Sequence, residues 1–120
     1  MAEAEPVTPA QAQPVIVTLP AEIDLVNADS IGEQLAAASG PGVAVVIADM
    51  TATTFCDSLG MRMLVLARRQ AVTADTDLRL VLPCPHVLRV MKIQGVDAVL
   101  PIYRNLDEAL SGLAVTTSGP

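Results

Sequence analysis

The chain has 120 residues, of which 52% are apolar but only two are aromatic, Phe55 and Tyr103, and its charge at pH 7 is −6. That length suits one domain with one core. The acidic balance and the lack of rings exclude an anionic membrane surface, a phosphate-backbone groove and a base-stacking platform as the main partner.

Residues 1–13 show no periodicity, no basic segment and no apolar segment of the kind a secretory signal carries, so they read as a flexible tail on a cytoplasmic protein. "VIVTL" from Val15 is β-branched and apolar, and Pro20 stops or bulges this strand before "AEID". In "NADSIGEQLAAA", Ile31, Leu35 and Ala38 fall at helical spacing, and "SGPG" ends the helix. "VAVVIADM" is an unbroken apolar run of strand length, the pattern of a strand covered on both faces, and the apolar pattern continues to Phe55-Cys56. No apolar run reaches the roughly 20 residues of a transmembrane helix.

"SLGMRMLVLARRQAV" has helical composition, with Ser58 as its cap and Leu59 as its first residue. "LRLVLP" is a strand closed by Pro83 and Pro85, and Pro85 opens the helix "HVLRVMKI", which Gly95 closes. "AVLPIYR" is a short strand sent to the sheet edge by Pro101. "LDEALSGL" is a terminal helix. Strands alternating with helices predict an α/β layered domain with a largely parallel sheet, in which reactive groups gather at the carboxyl ends of the strands. Asp24, Asp57, Ser58 and His86 all follow strand ends.

Several chemistries lack their residues. A nucleophile elbow is missing around Ser58, which leaves hydrolysis with a lone His86. Lys92, the single lysine, lies inside a helix, which removes a phospho-receiver domain. Glycine-rich nucleotide motifs and metal-ligand spacings are absent, so neither cofactor nor metal is expected. Cys56 and Cys84 read first as small buried apolar residues. On the helix after Ser58, the period assigns Leu59, Gly60, Met63, Leu64, Ala67 and Ala71 to the sheet. Met61, Val65 and Val72 then fall on another side, bordered by Arg62, Arg68 and Arg69, as a candidate docking patch.

With "VIVTLPAEIDLVNADSIGEQL", "VVIADMTATTFCDSLGMRML" and "LRLVLPCPHVLRVMKIQGVDAVLPIYRNLDEAL" in view, residues 14–113 resemble the STAS domain of bacterial anti-sigma factor antagonists. The specific pieces are "E-I-D", "F-x-D-S-x-G" and "P-x-V-x-R-V-x-x-x-x-G-V". The resemblance implies a mostly parallel mixed sheet of about four to five strands with four helices, and tails at 1–13 and 114–120. It further implies a non-enzymatic protein that binds an anti-sigma factor serine kinase of the histidine-kinase-like ATPase type and frees the sigma factor. The kinase phosphorylates Ser58, beside Asp24, Asp57 and Gly60, and a phosphatase resets it.

Leu59 stands where the family often has a second hydroxyl, and Ala21 where it usually has Gly. The family's first antiparallel strand falls in the proline-bearing tail, where it is expected to be short, displaced or missing. Two other functions fit the same residues: a STAS module binding a nucleotide or other small ligand, and redox control. In the redox reading Cys56 and Cys84 end neighbouring strands joined by one right-handed crossover.

Overall fold

Val45–Asp49 (β3) forms the centre of a sheet because its side chains find cover on both faces: all but Asp49 are buried. The computed structural model describes residues 13–111. On one side of β3 lies Val15–Thr18 (β1), in the register Val15↔Val46. On the other lies Asp77–Val81 (β5), in the register Val46↔Leu78. Ile102–Tyr103 (β6) pairs with β5, giving four parallel strands in the order β1-β3-β5-β6. A second, two-stranded parallel sheet joins Glu22–Ile23 (β2) to Phe55–Cys56 (β4).

The helices are Ala28–Ala38 (α1), Ser58–Thr73 (α2), Pro85–Gln94 (α3) and residues 106–111 (α4), which reach the last described residue. The strand alternation sorts the core. Val46 and Ala48 join Leu78 and Leu80 under α1, α2 and α3, whereas Val45, Ile47 and Val81 face Leu106, Ala109 and Leu110 of α4. α1 buries Ala28, Ile31 and Leu35, close to the expected stripe.

Arg79 shares the second face. It donates to Ala109 O, lies over the Tyr103 ring and pairs with Asp77, which Arg68 of α2 also holds at 2.7 Å. Burial alone would push the Asp77 carboxyl up, but the hydrogen bonds and charges of Arg79 and Arg68 outweigh it and hold it below its ordinary value.

Three local expectations change. The apolar run does not continue from Ala48 to Cys56: Met50 N donates to Val81 O, a turn follows, and Phe55–Cys56 leaves for the second sheet. Of "AVLPIYR", Val99 ends a 3-10 turn (Val96–Val99), and only Ile102–Tyr103 is strand. Pro101 still contributes to the ladder through its carbonyl, which accepts from Leu80 N. Cys56 and Cys84 do not end neighbouring strands, because β4 pairs with β2 while Cys84 follows β5. The expected tail strand and most of both expected tails lie outside the described residues.

Candidate functional site

The small sheet is what assembles the site. Pairing Ile23 with Cys56 places Asp24 and Asp57 as the next residue on each strand, and Asp57 N donates to Ile23 O at 3.0 Å. Asp57, not Ser58, caps α2: its Oδ1 accepts from Gly60 N at 2.8 Å, and its carbonyl accepts from Met61 N. Ser58 is therefore the first helical residue. The earlier expectation fails because an aspartate one residue upstream reaches the same amides with a full negative charge, which the helix dipole favours.

Ser58 is exposed, and among the described residues its hydroxyl has no hydrogen-bond partner. The amides of Ser58 and Leu59 also lack an acceptor there, as the first amides of a helix do. With no base upon it, Ser58 is an ordinary alcohol: it can receive a group delivered by another catalyst, but the described residues do not activate it to attack by itself. His86 is exposed at the start of α3 and makes no hydrogen bond to Ser58.

Gly60 explains the spacing. A Cβ there would lie 2.7 Å from Ile23 Cγ2 and 2.8 Å from Cys56 Sγ, so only glycine lets the first turn of α2 sit on the β2–β4 pair. The Asp24 loop is knitted to itself. Asp24 Oδ1 accepts from Val26 N at 2.9 Å, while Asn27 Oδ1 accepts from Asp24 N and Asn27 Nδ2 donates to Glu22 O. This tight turn pushes Leu25 and Val26 outward, 72% and 90% exposed.

The side of α2 that the helical period offered as a docking patch is only partly open to solvent. Met61 is buried, Val65 packs against the core, and Arg68 is taken up by Asp77. α2 rests on β5, β4 and the 3-10 turn as well as on α1, which closes over that flank. Arg62 and Arg69 remain exposed as expected. Leu59, assigned to the sheet, is instead partly exposed, as is Leu66.

The exposed apolar residues of this part of the chain are thus Leu25 and Val26 in the loop before α1, Phe55 on β4, and Leu59, Leu66 and Val72 on α2. Leu25, Leu59 and Leu66 line an open groove of about 310 Å3 with Arg62 and Asp29. The groove runs on between α1 and α2 over Gly32, Ala36 and Gln70. Leu25 and Val26 were missed; the signal available was two apolar residues in a loop too short to bury them.

Cys56 is buried and free, and burial, followed by the charge of Asp57, pushes its thiol up to about 12. It stays protonated near neutrality, so it is a poor redox nucleophile.

The profile of the STAS domain covers residues 5–109 of the sequence. The chain belongs to the STAS domain family. No curated protein sequence matches it. Among solved structures, this STAS chain is similar to an anti-sigma factor antagonist from Mycobacterium paratuberculosis, with a TM-score of 0.71 at 26% identity over 82% of this chain and 84% of that one. SpoIIAA, an anti-sigma factor antagonist in its unphosphorylated form, gives 0.69 at 21% identity over 92% and 94%. A segment of the murine anion transporter Slc26a9 gives 0.73 at 18% identity, covering 87% of this chain but 18% of the transporter. The last two likenesses concern the fold, and they show the STAS fold both as a free-standing regulator and inside a transporter. Among the described residues of this STAS chain, no helix is long and apolar enough to cross a membrane.

Proposed function

We propose that this STAS chain is an anti-sigma factor antagonist: it binds an anti-sigma factor serine kinase, releases the sigma factor, and is switched off by phosphorylation of Ser58. The observation that carries the reading is the position of Ser58. It is an exposed hydroxyl, unpartnered among the described residues, on the first residue of α2, and the next residue, Leu59, lines the apolar groove with Leu25 and Leu66. The antagonist from Mycobacterium paratuberculosis, 26% identical, supports it.

In the transfer, the bond between the γ-phosphorus of ATP and its bridging oxygen breaks, and a new bond forms to Ser58 Oγ. The hydroxyl proton leaves to a base of the kinase, and ADP departs. The product carries roughly two negative charges at the rim of an apolar surface. Asp57 and Asp24 add to that charge, and a partner that had covered the leucines must then desolvate it. A phosphatase reverses the step by hydrolysis.

The test is capture from a native cell extract with wild type, Ser58→Ala and Ser58→Asp, followed by phosphosite mapping of the wild-type chain. Wild type and Ser58→Ala retain an ATP-binding anti-sigma factor that Ser58→Asp loses. Equal retention by all three rejects the switch.

A further inference from the structure

Of the three cations of α2, Arg68 is tied to Asp77, whereas Arg62 and Arg69 are exposed and form no ion pair among the described residues. Of these two, Arg62 is the one at the groove. Its side chain lines the groove beside Leu25, Leu59 and Leu66, with Asp29 on the opposite wall. Ser58 lies four residues earlier on the same helix, also exposed. Side chains at that spacing are neighbours across one turn, with Cβ atoms about 5–6 Å apart.

We propose that Arg62 is the residue that reads a phosphate on Ser58: the modified serine and Arg62 close an ion pair across the first turn of α2, drawing the guanidinium off the groove wall. This rests on the reading of Ser58 as the phosphate acceptor, and it names what the modification does next.

The charges around Arg62 decide the direction. In the unmodified chain the carboxylate that lines the same open groove is Asp29, a single charge. Phosphoserine offers about two charges and three acceptor oxygens, and a guanidinium meets such a group with two parallel donors. Asp57 and Asp24 follow the paired ends of β4 and β2 and repel the phosphate, so its relief must come from the solvent side of α2. Arg62 is the cation one turn along that side. Once paired there, it leaves the carboxylates of Asp29 and Glu33 as the charges lining the groove, which makes the surface beside Leu59 and Leu66 more acidic. The modification therefore alters the partner's footprint at two places, the serine and the groove.

The test installs phosphoserine at position 58 during translation, so no kinase is needed, and follows the phosphate by phosphorus NMR against pH. A surface phosphoserine titrates near pH 6. In the full chain with Arg62 its second pKa lies about 0.3 unit or more below that of Arg62→Gln. Arg62→Lys lies between them, and 1 M salt shrinks the difference. The Arg62 side-chain N–H resonance also shifts on modification, whereas that of Arg69 does not. Equal pKa values in wild type and Arg62→Gln, or an unmoved Arg62 resonance, overturn the proposal. Because the phosphate is placed without a kinase, that failure is separate from failure of the antagonist reading, which shows in the capture experiment.

Discussion

Gly60 and Ile23 are in contact so close that a single methyl group on Gly60 would stand 2.7 Å from Ile23 Cγ2. That contact sets the first turn of α2 on the β2–β4 pair and fixes where Ser58 meets solvent. Gly60→Ala is expected to destabilise the domain by about 1–3 kcal/mol, the usual cost of overpacking a tight contact. Urea denaturation measures it. A variant as stable as wild type, with unchanged amide shifts at Asp57 and Ser58, would mean that the turn does not need glycine.

Asp57 has a structural duty separable from signalling. Asp57→Ala loses the cap on Gly60 N and about 1 kcal/mol. Asp57→Asn keeps an acceptor there and loses less. Thermal melts of the three chains give the ranking wild type, Asp57→Asn, Asp57→Ala, and the reverse order of the two variants would reject the cap.

The cysteines are expected to differ in reactivity. Cys56 is buried with its thiol at about 12, whereas Cys84 is partly exposed at the start of α3. Iodoacetamide at pH 8 labels Cys84 first, and Cys56 reacts only as fast as the site opens. Mass spectrometry of a timed reaction reads this, and equal rates would contradict the burial.

Acid stability depends in part on Asp77. Its folded pKa is below the ordinary 3.8, so the carboxylate stabilises the fold above that value and loses the contribution as pH falls through the folded pKa. Asp77→Asn is less stable than wild type at neutral pH, and the gap closes below about pH 4. Solvent screening keeps the effect modest, since the side chain is 41% exposed. A gap that stays constant on acidification would contradict the linkage.

Much of the α/β frame was legible because each element carried its own signal. The unbroken apolar run at Val45–Ala48 declared a strand covered on both faces, and Pro85 and Gly95 bracketed α3. The small second sheet was not legible, since two-residue strands at Glu22–Ile23 and Phe55–Cys56 have no period to read. For the site, the sequence pointed to Ser58 but misassigned its cap, because Asp57 and Ser58 are both good capping residues and only backbone geometry separates them. The period placed most of the sheet-facing side of α2 but put Met61 and Leu59 on the wrong sides. An ideal wheel assumes one covered face, and α2 is covered by the sheet, α1 and the 3-10 turn together.

The central claim is that charge on Ser58 controls partner binding, and calorimetry with the purified anti-sigma factor tests it most directly. Wild type and Ser58→Ala bind alike, whereas Ser58→Asp binds about 30-fold more weakly or worse, the loss expected when an interface must bury an unpaired charge. Equal affinity for Ser58→Asp and wild type would contradict the account.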